Sequence, residues 1–474
     1  MVGRKKELEL LKNCLDSDRS RLIVVYGRRR VGKTFLIREA FDYQFTFTHT
    51  GLEDGTYEEQ LGAFWRSVCG QSGGDCVRPH NWFEAFGLLK QLIKNSTDAR
   101  KTIFIDELPW MDTKNSGFIK AFADFWNGWA TARKDVVLVV CGSAAAWMLK
   151  KVLNSRGGLF NRANRIIRLE PFTLKECEEY LESEGIVMDR KDIVSAYMIF
   201  GGAPYYWSLL DKSESLAQNV DRLFFAPGAE LAGEFRKLYR SVFENPEPYM
   251  ALVTTLGTRK VGMTRDQLIA NTPGVESCGA LTEWLDNLEA SGFIRKYAET
   301  GNIKRGTVYQ LIDNFTLFYF KFMTGNRNRR SGEWLSGAMS QSRSIWNGLA
   351  FERVALAHAN QMKKALGISG VRTVEYAWRA AKQEVTDEGA QIDLLIHRAD
   401  KSVNICEMKY GDDLFEISAE EMRKLKRRRE VFVREEKFRG SVFLTMVTPH
   451  GVVRDMHWND IQSEVTLDDL FANG

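Results

Sequence analysis

The sequence predicts an α/β protein whose N-terminal part is a parallel sheet flanked by helices, and three stretches carry that reading. Tyr26-Gly27-Arg28-Arg29-Arg30-Val31-Gly32-Lys33-Thr34 is a G-x-x-x-x-G-K-T loop. It lies between the apolar run Leu22 to Tyr26 and the helical stretch Phe35 to Phe41. Thr102 to Glu107 is an apolar run that ends in two acids, Asp106 and Glu107. Val136 to Cys141 is a third apolar run, closed by Gly142-Ser143. Strands buried on both faces read as unbroken apolar runs, and open parallel sheets collect ligands at the carboxyl ends of their strands.

The loop has a specific chemistry. Gly27 and Gly32 let the backbone curl, so that N–H groups along Arg28, Arg29, Arg30 and Val31 point inward at a phosphate. The helix that follows adds roughly half a positive charge at its N-terminus. Lys33 is placed to reach the β- and γ-phosphates, and the Thr34 hydroxyl to ligate Mg²⁺. The second stretch reads as a Walker B strand: Asp106 would hold Mg²⁺ and Glu107 would polarise the attacking water. Ser143 has two readings, a sensor beside the γ-phosphate and an N-cap for a helix over Ala144 to Leu149. The cofactors implied are ATP and Mg²⁺.

At 474 residues the chain is too long for a single core, and about three domains are expected. A net charge of +4 permits nucleic-acid contact without arguing for it. The N-terminus shows no apolar signal region, and the longest apolar run, Val136 to Leu149, is too short to span a membrane. Seven scattered cysteines with no C-x-x-C read as reduced thiols in a cytoplasmic protein. Cys69, Cys76 and His80 fit no zinc spacing.

Along the chain, Arg4 to Leu15 reads as an amphipathic helix and residues 45–48 as a short strand. Residues 57–69 and 82–95 read as helices around a Gly-rich loop from Gly70 to Pro79. Thr173, with Glu176 three residues on, opens a helix to Glu184, and 190–200 forms another, stopped at Gly201-Gly202. Residues 246–311 have a helix-turn-helix rhythm. Helices are expected at 246–257, from the capping box at Thr264 and Gln267 to Ala270, and from a Ser277 cap to Ser291. Two strands, Phe293 to Tyr297 and Thr307 to Leu311, follow them, and the whole fits a winged helix. It would contact duplex DNA or only pack on its neighbour. The acidic helix Ser277 to Ser291 argues against major-groove readout. The polar stretch 324–334 reads as a linker.

"YGRRRVGKT", "FIDELPWM", "CGSAAAWM", "LFNRANRIIRLEPFTLKE" and "GGAPYYW" together resemble an AAA+-type ATPase family best known from archaea and anaerobic bacteria. The resemblance implies a helical lid after the core and a C-terminal domain similar to PD-(D/E)XK nucleases. It also implies an arginine finger at Arg162, against a plain surface or phosphate-contact arginine. The expected divisions are an ATPase core over 1–170, a lid over 171–240, a winged helix over 241–325 and a nuclease-like domain over 335–474.

In that last part a helix is expected over Ser344 to Lys364, carrying Glu352, with strands at Val374 to Trp378, Gln391 to Ile396, Asn404 to Tyr410 and Ser441 to Val447. Residues 419–434 read as a basic helix, able to grip a nucleic-acid backbone or to form a solvated face. Glu407 and Lys409 alternate onto one strand face, Asp393 on a neighbouring strand can share it, and Glu352 would complete the set. Asp393 and Glu407 would bind a divalent cation that activates water against a phosphodiester, with Lys409 orienting the water or the phosphate.

The function expected is ATP hydrolysis coupled to a metal-dependent, DNA-acting domain. The alternative is a nucleotide-dependent regulatory switch whose C-terminal domain binds without cutting. DNA, a protein partner and further copies of the chain are the partners considered, with no membrane. No aromatic-Gly pore loop stands out for a peptide-unfolding machine.

Overall fold

The computed structural model describes residues 1–473 except 75, 154–158, 160, 260, 299–306, 326–329, 338–339 and 381–389. The N-terminal sheet contains β1 (Arg21–Tyr26), β2 (Phe47–Thr50), β3 (Lys101–Asp106), β4 (Val136–Gly142) and β5 (Arg165–Arg168). All are parallel, in the order β2-β3-β4-β1-β5. β1, β3 and β4 are central and are buried along nearly their whole length, which accounts for their unbroken apolar sequences. One face, with Leu22, Val24, Ile103 and Leu138, packs on the helices Tyr57–Ser72 and Trp82–Asn95. The other, with Ile23, Val25, Val137 and Cys141, packs on the helices Lys5–Lys12 and Lys33–Ala40. β2 begins at Phe47, later than residues 45–48 suggest, because pairing with β3 in the register Phe47↔Ile103 sets it.

Two local readings are corrected here. The helix from Tyr57 continues through Gly70 to Ser72 and ends on a left-handed Gly73, so the Gly-rich loop starts later than expected. Cys69 and Cys76, read as free thiols, are paired as a disulfide.

The helices Leu174–Glu184 and Arg190–Phe200 follow, the first with the Thr173–Glu176 capping box in place. Next come the helices Glu247–Gly257, Arg265–Asn271 and Gly279–Ala290. Their sheet pairs β6 (Met263–Thr264), β7 (Ile294–Ala298) and β8 (Thr307–Leu311) antiparallel, in the order β6-β8-β7. β6 was not visible in the sequence, being two residues long. Ser277 does not cap the third helix: Cys278 occupies the N-cap and no side chain bonds there. The turn between β7 and β8 lies outside the described residues.

The C-terminal sheet orders β13-β12-β11-β10-β9, with β9 (Thr373–Arg379), β10 (Gln391–Arg398), β11 (Ser402–Met408), β12 (Ser441–Val447) and β13 (Ser463–Val465). The helix expected over Ser344 to Lys364 is two, Ser340–Ala357 and Ala359–Ala365, broken at His358. The His358 ring explains the break. Its Nδ1 bonds Val354 O at 2.7 Å, and its Nε2 accepts from the Leu174 N–H at 2.9 Å, so it joins this part to the helix Leu174–Glu184. Burial pushes His358 down to about 4, matching a neutral ring with both nitrogens engaged.

The stretch read as a linker is partly docked. Asp221 accepts from the N–H groups of Gly332, at 2.7 Å, and Trp334, at 3.1 Å, and Trp334 stacks on Phe225. One apolar core runs from Phe172 and Leu174 through Tyr239 and Phe318 to Leu394, Cys406 and Phe471. The helix Ala419–Glu435 covers the other face of the C-terminal sheet, over Ile392, Leu395 and Ile405. No described helix is long and apolar enough to cross a membrane.

Candidate functional site

The loop after β1 turns sharply against the end of β5. A Cβ at Gly27 would lie 2.3 Å from Leu169 O, so only glycine fits there. Arg30 and Gly32 both take positive φ, curling the backbone into a cradle ahead of the helix Lys33–Ala40. Lys33 is buried, and its ammonium donates to the carbonyls of Gly27, at 3.2 Å, and Arg28, at 3.1 Å, on its own loop. Thr34 Oγ1 donates to Asp106 Oδ2 at 2.8 Å, across from the end of β3.

Glu107 follows Asp106 in a left-handed conformation, φ 47°, which breaks the strand and turns its side chain toward β4. There the Ser143 N–H and hydroxyl both donate to Glu107 Oε2, each at 2.9 Å. Ser143 is not the N-cap of the next helix, which begins at Ala145 after Ala144. Cys141, which no motif singles out, donates its thiol to Asp106 Oδ1 at 2.5 Å. Burial first, and then the nearby acids, push the Cys141 thiol well up, so it stays a neutral donor. A buried small donor at the C-terminal end of the strand beside β3 was the available signal.

Lys33, Thr34, Asp106, Glu107 and Ser143 therefore meet at one end of the sheet. The arginines of the loop do not turn inward. Arg28 pairs with Asp313 at 2.5 Å, Arg29 with Glu53 at 3.2 Å and Arg30 with Glu234 at 3.1 Å. The loop presents backbone N–H groups and Lys33 to a phosphate, and its guanidinium groups to protein acids. Arg162 is exposed ahead of β5 and is not among the residues gathered around Lys33. The donor set suits a nucleotide with its magnesium: a hydroxyl and a carboxylate adjoin a buried ammonium whose partners are carbonyls of its own loop.

Residues 1–210 match the model of an ATPase domain predominantly from Archaea. An uncharacterized protein of Methanocaldococcus jannaschii is 26% identical to this chain over 380 residues, 77% of this chain and 79% of that protein. An uncharacterized ATP-binding protein of the same organism is 53% identical over 38 residues, 8% of this chain and 64% of its own. Among solved structures, a Walker-type ATPase of Pyrococcus abyssi aligns with 68% of this chain and 96% of its own at 16% identity and a TM-score of 0.45.

The C-terminal acids have different surroundings. Glu407 alternates with Cys406 and Met408, which face the shared core, so it faces the helix Ala419–Glu435. There Arg428 binds its Oε2 at 2.5 Å and Lys409 lies 3.3 Å from its Oε1. Lys409 also pairs with Glu421 at 3.4 Å. Asp393 falls inside a register shift between Ile392 and Leu395 in the pairing of β10 with β9, which interrupts the simple alternation the sequence reading assumed. Gln391 Nε2 donates to Asp393 Oδ1 at 2.7 Å.

Two arginines, the buried Arg353 and the half-buried Arg295, lie in the field of Asp393. Arg295, on β7, is pushed down to about 10, by burial first and then by Arg353, with Tyr297 and Asp393 pulling it back. Burial also lowers Arg353, against Glu352, Asp393 and Tyr297. Among the described residues no group of three His, Cys, Asp or Glu side chains gathers closely enough to hold a metal ion, so Glu352, Asp393 and Glu407 do not meet as a trio.

Proposed function

We propose that the chain is an ATP-binding and ATP-hydrolysing AAA+-like switch that works on DNA through its C-terminal parts. The carrying observation is the pair of contacts at the sheet end, Thr34 to Asp106 and Ser143 to Glu107. Bound between the Thr34 hydroxyl and the Asp106 carboxylate, Mg²⁺ would neutralise charge on the phosphates. Lys33 exchanges its two loop carbonyls for phosphate oxygens. Ser143 fixes one oxygen of Glu107, which leaves the other to orient the attacking water and accept its hydrogen bond. Arg162, exposed before β5, would serve as an arginine finger toward a neighbouring copy of the chain, which makes a homo-oligomer the assembly to look for.

The middle unit is read as a winged helix and the last as a PD-(D/E)XK-like domain, in a cytoplasmic protein. The pairing of Glu407 with Arg428 and Lys409 favours the switch reading, in which this domain binds DNA without cutting it. Two measurements test the proposal. Calorimetry with ATP and ADP should show binding that Lys33→Ala abolishes, and duplex DNA should raise the rate of ATP hydrolysis. No heat of nucleotide binding overturns the whole reading. Mg²⁺-dependent cleavage of plasmid DNA, lost in Asp393→Ala, overturns the switch in favour of a nuclease.

A further inference from the structure

The phosphate loop is tied to the rest of the molecule by its own arginines. Arg28 and Asp313 are 11% and 1% exposed as side chains, so their 2.5 Å contact is almost dry. The Arg28 guanidinium also lies over the Phe293 ring at 5.0 Å. Burial alone would push Arg28 down, but Asp313 outweighs it and the group is raised. Arg30 binds Glu234 through both Nε and Nη2, at 3.1 Å each, and stacks on Tyr205 at 3.7 Å. The Tyr205 N–H reaches Arg30 O at 3.4 Å, and Tyr206 donates to Glu234 Oε1 at 3.3 Å.

The acids that receive these arginines lie beyond the N-terminal sheet, Glu234 at the start of the helix Glu234–Arg240 and Asp313 further on. Asp313 caps the short helix Asn314–Phe318, accepting from Thr316 N–H at 3.0 Å and from its hydroxyl. Phe318 then packs edge-on against Trp334 and Trp346, at 5.5 and 5.6 Å. Trp346 belongs to the helix Ser340–Ala357, which also carries Glu352 and Arg353. At its other end, Arg28 offers its carbonyl to Lys33. A single loop residue thus faces the phosphate site with its backbone and the C-terminal half with its side chain.

We propose that Arg28 and Arg30 are positioning residues that tether the phosphate loop to Asp313 and Glu234, so that nucleotide on the loop and packing of the helical and C-terminal half are thermodynamically linked. This rests on the nucleotide reading of the loop. Linkage is reciprocal: whatever nucleotide adds to the tethered arrangement, loss of the tether removes from nucleotide affinity. A merely structural pair would lower stability without changing how binding at the loop is felt beyond it.

The test uses the full chain, with ADP and Mg²⁺ as the probe. Asp313→Asn keeps the cap on Thr316 but removes the charge that Arg28 needs, and it is expected to weaken ADP binding about tenfold by calorimetry. Glu234→Gln, at the less buried pair, is expected to weaken it about fivefold and serves if Asp313→Asn does not melt cooperatively. Amide hydrogen exchange is the second readout. In the wild type, ADP should slow exchange in residues 27–34, 314–323 and 340–357. In Asp313→Asn saturated with ADP, residues 27–34 should still be protected while the two distant segments exchange as they do without ADP; Glu234→Gln, which keeps the Arg28–Asp313 contact, should lose only part of that distant protection. Affinities within twofold of wild type, or distant protection as full as in the wild type, overturn the coupling. Absence of ADP binding to the wild type instead overturns the nucleotide reading itself.

Discussion

Asp106 and Glu407 are both carboxylates near the ends of buried strands, yet the charges around them are opposite in kind. Asp106 and Glu107 are held by neutral donors: the Thr34 hydroxyl, the Cys141 thiol, and the Ser143 hydroxyl and N–H. Such contacts orient an acid while leaving its negative charge for an incoming cation. Glu407 is met by Arg428 and Lys409, and Asp393 lies near Arg353 and Arg295. There the protein already supplies the positive charge. Identical residue types keep an uncompensated charge among neutral donors in one place and join a closed ion-pair network in the other, and only the partners tell them apart.

The contrast breaks most visibly at Glu107. Glu107→Gln keeps the bonds from Ser143 but removes the proposed base, and kcat for ATP hydrolysis should fall by about 100-fold or more with nucleotide affinity little changed. A fall in affinity with kcat intact would place Glu107 in binding instead.

The seam between the two regions should respond to acid. His358 is held neutral, with a folded value of about 4 against an ordinary 6.5. Its contribution is therefore complete above pH 6.5 and is lost as the pH falls toward 4, amounting to about 3 kcal/mol over that window. Urea unfolding at a series of pH values should show this slope, and His358→Gln should flatten part of it. His49, which burial also pushes down to about 4, adds a second contribution in the ATPase domain. An unchanged slope in His358→Gln would mean that the imidazole protonates without disturbing the seam.

Arg428→Met sharpens the comparison at the acidic site. It removes the 2.5 Å contact and leaves Glu407 with Lys409, at a cost of about 1.5 kcal/mol in stability. In a chain that also carries Lys33→Ala, this change should reveal Mn²⁺ binding by calorimetry that the Arg428 chain lacks. Equal Mn²⁺ binding with and without Arg428 would show that the ion pair does not close the site. The smallest effect is expected for Ser143→Ala, which keeps the N–H to Glu107 and loses the hydroxyl, lowering kcat about fivefold, or about 1 kcal/mol.

Much of the first region was legible in the sequence because its signals are local. The G-x-x-x-x-G-K-T loop, the acids after Phe104-Ile105 and the apolar runs of β1, β3 and β4 each lie within one continuous stretch. The capping boxes at Thr173 and Thr264 were readable for the same reason. What escaped is what depends on partners far along the chain. The loop motif places the backbone N–H groups of Arg28, Arg29 and Arg30 but says nothing of their side-chain partners Asp313, Glu53 and Glu234. The helix break at His358 depends on a bond from Leu174, and the docking of Trp334 depends on Asp221. The alternation that placed Asp393 beside Glu407 ignored a register shift that no composition signals.

The core that runs from Phe172 to Phe471 limits how this protein can be taken apart. A fragment starting near residue 335 would keep Phe351, Val354 and Met362 beside Leu394, Cys406 and Phe471 but lose the rest of the core, from Phe172 to Trp334. Expressed alone, it should clump or be digested rather than serve as a miniature of the parent. Heating the intact protein should melt the stretch from Phe172 to Phe471 in a single step.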